Sequence, residues 1–94
     1  MVPAHNISKR AKSKIPNKFT IGLGILIRNA RIEAGINQTE LARKTGINQA
    51  AISLIEAGKR SVSAEEIMLF SLALNKPVTY FYSIESTGYI NQFG

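Results

Sequence analysis

The chain contains no cysteine, no aspartate and no tryptophan, and its only histidine is His5. The lack of thiols excludes disulfides and thiolate chemistry, so a reducing compartment such as the cytoplasm is the expected location. One histidine and six glutamates do not supply a nucleophile with its base, a cluster of metal ligands or a pair of catalytic carboxylates at a recognisable spacing. We therefore expect no enzyme activity, no metal and no cofactor.

Long hydrophobic runs are also absent. No stretch approaches the length that a membrane-spanning helix needs, and the polar, basic first residues lack the apolar segment of a secretory signal. Ninety-four residues allow one domain with a modest core. We therefore expect a single domain that has no membrane partner.

Positive charge is concentrated toward the N-terminal side. The formal net charge is +6, and residues 1–18 carry five cations and no acid, whereas residues 61–94 carry three acids and one cation. An uneven excess of cations favours a polyanionic partner. Because residues 1–18 have no helical period, we predict a flexible basic arm, either a solvated tail or a phosphate-contacting arm. Residues 84–94 are predicted to form a C-terminal tail.

The centre of the chain predicts two short helices joined by a tight turn, within the sequence NQTELARKTGINQAAISLIEAG. The first helix is predicted from Gln38 to Thr45 and the second from Gln49 to Ala57. Asn37 and Asn48 each precede a helix, where the amide oxygen can accept a hydrogen bond from a free backbone N–H. Gly46 ends the first helix because glycine adopts the left-handed conformation at little cost.

This stretch resembles the helix-turn-helix of the Xre family, which includes the lambdoid phage repressors and Cro. The matching positions are Gln38, Leu41, Ala42, Gly46, Ile52, Ser53, Ile55, Glu56 and Gly58. The resemblance extends from about Leu23 to Tyr82. It implies an all-α, five-helix, lambda-repressor-like DNA-binding domain over residues 19–83. The alternative is an ordinary helical hairpin in a small bundle.

The resemblance also implies which residues bind double-stranded DNA, with helix 49–57 in the major groove. The candidates for base readout are Gln49, Ala50, Ser53 and Leu54. The candidates for phosphate contact are Asn37, Gln38, Lys59, Arg60 and Ser61. A glutamine amide matches the N6 donor and N7 acceptor of adenine, and apolar side chains can touch thymine methyl groups. No Arg or Lys lies on this face, so we expect little direct readout of guanine.

An ion pair and one more helix are also predicted. Arg31 matches a family arginine that forms an ion pair with the glutamate near the end of the reading helix, here Glu56; a surface arginine that touches phosphate is the alternative. Another helix precedes these two in the chain and is predicted from Thr20 to Ala34, with Thr20 as a candidate N-cap. Its inward stripe is predicted to be Leu23, Ile27, Ala30 and Ala34.

The C-terminal half predicts two more helices. Ser63 and Glu66 form a capping-box pattern that opens the fourth helix, and Pro77 begins a short fifth helix that ends at Tyr82. Leu69 and Leu72 are apolar at positions that are usually polar in the family, and Tyr80 on the fifth helix joins them, which predicts a homodimer interface. The alternative is that the C-terminal tail covers these three side chains.

The sequence therefore predicts a sequence-specific transcriptional regulator, a repressor that acts as a homodimer. A second hypothesis is an antitoxin or controller protein whose main partner is another protein and whose DNA binding is autoregulatory. Ile25 with Ile32, or Leu69 with Leu72, would then be the partner surface. A third hypothesis is an interaction module without affinity for DNA.

Overall fold

The computed structural model describes residues 17–83, and within this range the chain is helical and contains no strand. The elements are α1 Lys18–Glu33, α2 Gln38–Thr45, α3 Gln49–Glu56, α4 Ala64–Leu74 and a 3-10 helix Val78–Tyr82. The predicted all-α fold is confirmed, but the fifth helix is a short 3-10 helix, so there are four α-helices in this part of the chain. No helix in it is long and apolar enough to cross a membrane. The predicted arm up to residue 16 and the predicted tail lie outside the described residues.

One hydrophobic cluster contains at least one side chain from every helix. Its buried members are Ile27, Ala30, Leu41, Ile52, Ile55, Ile67, Phe70, Leu74 and Phe81. Full burial of a large aliphatic or aromatic side chain contributes about 1.5–3 kcal/mol. Because Ile52 and Ile55 are completely buried, the inner side of α3 is fixed to the domain while its outer side stays open.

The first helix begins two residues before the predicted cap. The Asn17 side chain accepts a hydrogen bond from the Thr20 backbone N–H at 2.9 Å, so Asn17 and not Thr20 is the N-cap. Asparagine is a stronger N-cap than threonine, and with Asn17 as the cap the helix also includes Lys18 and Phe19. At the other end Ala34 is exposed and lies outside the inward stripe, whereas Leu26 is buried.

The remaining helix ends follow the sequence signals. Ser63 and Glu66 form both hydrogen bonds of the capping box, and Asn75 takes the left-handed conformation after α4. Gly46 ends α2 with a φ of 75°. Thr45 was not predicted to have a role, but its buried hydroxyl donates to the Leu41 carbonyl at 2.8 Å and accepts from the Ile47 N–H at 3.1 Å. These two hydrogen bonds of the Thr45 hydroxyl therefore stabilise the turn between α2 and α3.

The predicted outward surface of Leu69, Leu72 and Tyr80 is only partly outward. Leu72 is 80% exposed, but Leu69 and Tyr80 are half-buried. The Tyr80 hydroxyl donates to the Leu26 carbonyl at 3.3 Å, and the Lys76 ammonium lies 4.9 Å from the Tyr80 ring centroid. Tyr80 is thus attached to its own domain, because its phenol reaches a carbonyl of α1 that a shorter side chain would not reach.

Gly46 provides a test of the turn that positions α3. A side chain at Gly46 would meet nothing within 4 Å, so only the positive φ opposes substitution. Gly46→Ala is expected to lower the free energy of unfolding by about 1 kcal/mol. Gly46→Asn is the control, because asparagine tolerates the left-handed conformation and is expected to cost less. Urea unfolding measures both, and equal stability of the two variants would contradict the strain argument.

Candidate nucleic-acid interface

The outer face of α3 is exposed and uncharged. Gln49, Ala50, Ser53 and Leu54 are all exposed, and we call these four side chains the reading face. The Asn48 side chain accepts from the Ala50 backbone N–H at 2.7 Å, which caps the helix without using a reading-face side chain. The structure thus places all four predicted base-contact residues on the exposed outer side of one helix.

An ion pair holds the far end of α3 against α1. Arg31 Nε lies 2.7 Å from Glu56 Oε2, and Arg31 Nη2 lies 3.0 Å from Glu56 Oε1, so the contact is bidentate. Arg31 Nη1 also donates to the Ile36 carbonyl at 2.9 Å, in the loop between α1 and α2. The Glu56 side chain is only 4% exposed. The hydrogen bond to Glu56 raises the pKa of Arg31 above its ordinary value, so the guanidinium stays charged.

A chain of amides links this ion pair to the reading face. Gln38 Nε2 donates to Glu56 Oε1 at 3.1 Å, and Gln49 Nε2 donates to Gln38 Oε1 at 3.4 Å, a long hydrogen bond. A carboxylate only accepts, so Gln38 must turn its NH₂ group toward Glu56 and its oxygen toward Gln49. The Gln49 oxygen and its second N–H remain available to a ligand. Gln38 was predicted only as a phosphate contact, and this link was not predicted, although two glutamines begin the helices on either side of one turn.

The residues predicted to contact phosphate differ in how much of each side chain is still free to bind it. Asn37 uses its side-chain oxygen to cap α2, accepting from the Glu40 N–H at 2.8 Å, which leaves its NH₂ group as a donor. Lys59 and Ser61 are exposed in the loop after α3. Arg60 differs, because its guanidinium donates to Glu66 Oε1 at 3.1 Å and to Oε2 at 2.9 Å.

The Arg60–Glu66 contact changes what Arg60 contributes. The hydrogen bond from Arg60 holds the pKa of Glu66 below its ordinary value, so the carboxylate is ionised at neutral pH. Arg60 therefore contributes little net charge to the loop in this structure. Lys59 makes no ion pair with another residue in the range 17–83 and is the stronger candidate for phosphate. Within the same range no group of three or more His, Cys, Asp or Glu side chains could hold a metal ion.

The family model described as "Helix-turn-helix" matches residues 27–81, which is more than half of the chain. The chain belongs to the Xre-like helix-turn-helix family. The matched range of this helix-turn-helix protein contains the whole reading face, the Gln38 link and the Arg31–Glu56 pair. The family predicted from the sequence is confirmed.

Curated relatives and solved structures agree with this assignment. The helix-turn-helix protein is 35% identical over 69 residues to two uncharacterized HTH-type transcriptional regulators, from Sinorhizobium medicae and Rhizobium meliloti. The match covers 73% of this chain and 50% of each relative, so the chain spans about half the length of the curated relatives it matches.

Two solved structures of restriction-modification controller proteins share the fold. The structure of C.AhdI from Aeromonas hydrophila has a TM-score of 0.64 and 26% identity, over 66% of this chain and 94% of that chain. The structure of wild-type C.Esp1396I has a TM-score of 0.65 and 25% identity, over 72% of this chain and 91% of that chain. Both alignments therefore cover nearly all of the neighbouring protein.

The ion pair between α1 and α3 gives a sharp test. Arg31→Met would leave the Glu56 carboxylate buried without its cation, which is expected to cost about 3 kcal/mol of unfolding free energy. The double variant Arg31→Met with Glu56→Leu removes the stranded charge and is expected to recover most of that stability. DNA affinity is expected to be low in both variants. In Arg31→Met the end of α3 loses its ion pair with α1, and in the double variant Gln38 also loses the carboxylate that orients it. Additive effects of the two single changes in chemical denaturation would show that the residues are not coupled.

Proposed function

We propose that this helix-turn-helix protein is a sequence-specific, double-stranded-DNA-binding transcriptional regulator that inserts α3 into the major groove. The observation that carries the proposal is the reading face, four exposed and uncharged side chains on a helix whose inner side is completely buried. A helix with this division presents short side chains outward at fixed positions, as base readout requires.

The reading face favours A·T base pairs. Gln49 is its only side chain with both a donor and an acceptor on a chain long enough to bind an adenine edge at N6 and N7. Ala50 and Leu54 offer methyl groups that can contact the methyl group of thymine, and Leu54 is 45% exposed. Ser53 can bond either a base or a phosphate.

The backbone contacts come from the elements that flank α3. Asn37 and the second N–H of Gln38 lie at the start of α2, and Lys59 and Ser61 lie in the loop after α3. These groups would fix the protein on the duplex without choosing a sequence. Arg60 still has its Nε–H and one Nη2–H for a phosphate, but Glu66 offsets its charge, so we assign it a smaller share than the sequence alone indicates.

We further propose a homodimer formed through α4 and the 3-10 helix. Met68 and Leu72 lie one turn apart on α4 and are 60% and 80% exposed, and Tyr82 on the 3-10 helix is 62% exposed. Exposed large apolar side chains at this spacing mark an interaction surface. A symmetric dimer would place the two copies of α3 about 34 Å apart, so its site would be nearly palindromic. Repression then follows if such a site overlaps a promoter.

A controller protein that also binds another protein is the second candidate. The likeness to two restriction-modification controller proteins over nearly their whole length supports the controller part of this candidate, and the protein partner remains a hypothesis from the sequence. The partner surface would then include Ile32, which is 55% exposed, and the half-buried Ile25, which lies about two turns away on the same face of α1. Mass measurement of the complex recovered from the host separates this candidate from a regulator that acts only with its own copy.

The deciding experiment is selection of bound duplexes from a random pool, followed by footprinting on the enriched sequence. A DNA-binding regulator is expected to enrich one A·T-containing, nearly palindromic site. Retention of random duplexes without enrichment, or no retention at low salt, would reject the proposal.

Base readout itself can be tested at one side chain. Gln49→Ala is expected to weaken binding to the selected site by about 1–3 kcal/mol and to relax preference at one base pair in each half-site. Lys59→Ala is the matched control, because losing a phosphate contact weakens binding to all sequences alike. The measurement is binding of both variants to a panel of duplexes with each base substituted in turn. If Gln49→Ala leaves the base preferences intact, Gln49 is a backbone contact.

The dimer can be tested with charges on the exposed apolar surface. Met68→Glu with Leu72→Glu is expected to give a folded monomer that binds a full site poorly, because two like charges would face their copies across the interface. Ile32→Glu is the control on a different surface and is expected to remain dimeric. Light scattering coupled to gel filtration gives the masses. An unchanged mass in the double variant would place the dimer contact elsewhere.

A further inference from the structure

The backbones of α1 and α3 meet at Gly24. A Cβ atom built on Gly24 would lie 2.2 Å from the Ile55 carbonyl oxygen and 3.3 Å from the Glu56 carbonyl oxygen. Real Cβ atoms essentially never come closer than 3.0 Å to another heavy atom. The oxygen is part of the backbone and cannot rotate away as a side chain could. Gly24 is therefore the residue that allows the last turn of α3 to rest directly on α1.

A second glycine, just after α3, also packs closely against α1. Gly58 is buried with a φ of 74°, and a Cβ atom on it would lie 2.8 Å from Ile21 Cγ1. Its N–H donates to the Ile55 carbonyl at 3.0 Å, so one oxygen both ends α3 and touches Gly24. We call Ile21 and Gly24 of α1, with Ile55 and Gly58 of the α3 end, the glycine seat.

The glycine seat and the ion pair hold α3 at two points along α1. Gly24 and Arg31 are seven residues apart and so lie on one face of α1, about two turns from each other. The two contacts differ in stiffness. An arginine side chain can follow a displaced carboxylate by changing rotamers, but two backbones in direct contact have no such freedom. The distance between α1 and α3 is therefore set at the glycine seat.

We infer that Gly24 is a positioning residue for base readout, because the glycine seat fixes how far α3, and with it the reading face, stands from the rest of the domain. The inference rests on the proposed function. An alanine at this position would require the Cβ–oxygen distance to grow from 2.2 Å to at least 3.4 Å, a separation of about 1.2 Å, before the contact became ordinary. Gln49 is six residues, or about 9 Å, from Ile55 along the same short helix.

A displacement of that size separates the two kinds of DNA contact. Direct hydrogen bonds to base edges fall in a narrow range of about 2.7–3.2 Å, so about 1 Å is enough to break them. Phosphate contacts from long side chains such as Lys59 adjust through their rotamers. Gly24→Ala is therefore expected to reduce affinity for the selected site much more than affinity for unrelated duplexes.

The experiment measures the specificity ratio, which is the affinity for the selected site divided by the affinity for a scrambled duplex of the same length. The full chain and its variants are compared at low temperature in sucrose, which favours the folded state, and circular dichroism is used to check that each variant is folded. Gly24→Ala is expected to lower the ratio about tenfold or more, with about twofold or less change on the scrambled duplex. Leu74→Ala is the control. It removes core contacts from the end of α4, away from α3, and is expected to lower the melting temperature without changing the ratio.

The outcomes are distinct. A Gly24→Ala variant that keeps the ratio of the unchanged protein overturns the inference, and so does an equal loss of ratio in Leu74→Ala. If Gly24→Ala does not fold, Ile21→Ala decides, because it loosens the glycine seat without a clash. It is expected to lower the ratio about threefold, and an unchanged ratio overturns the inference. A ratio near one in the unchanged protein would instead reject the proposed function.

Discussion

The buried carboxylate of Glu56 needs hydrogen-bond donors around it, and the rest of this domain depends on that constraint. An ionised group with so little exposure is stable only if donors surround it, and here Arg31 supplies two and Gln38 supplies one. These donors belong to α1 and α2, while the carboxylate belongs to α3. Three helices are thus oriented by one requirement for hydrogen bonding, and hydrophobic packing, which is less directional, fills the space between them.

If the reading face binds DNA as proposed, the same carboxylate connects stability to recognition. Its demand for donors fixes the direction of the Gln38 amide, and Gln38 in turn accepts from Gln49 on the reading face. The Glu56 carboxylate is therefore linked through Gln38 to the direction of the Gln49 amide, by a long hydrogen bond of 3.4 Å. We infer that the ion pair specifies an orientation of α3 that apolar contacts alone would leave free.

Local signals account for most of what the sequence could predict. Asparagine and serine caps, the glycine in the turn and the spacing of Leu41, Ile52 and Ile55 depend on neighbours a few residues away, so the helix-turn-helix and its reading face were recognisable from letters alone. The start of α1 was misjudged because both Asn17 and Thr20 can cap a helix, and only the hydrogen-bond geometry distinguishes them.

Long side chains and close backbone contacts were less accessible to sequence reasoning. Arg60 pairs with Glu66 and Tyr80 bonds to Leu26, and a long flexible side chain selects such a partner only when the fold brings it near. Gly24 carried no local signal either, since a glycine within a helix looks merely unfavourable until the crossing helix is in view. The residues missed are those whose role depends on distant parts of the chain.

The uncharged surface of α3 has a consequence for how the protein responds to its ionic environment. Binding through phosphates releases counterions and weakens steeply with salt, whereas contacts from amides, hydroxyls and methyl groups to bases release few. In this domain the two kinds of group lie on different elements, with the cation Lys59 in the loop and no cation on α3. Changes in salt would therefore alter how much of the protein is bound to DNA, while the choice among sequences would stay nearly constant.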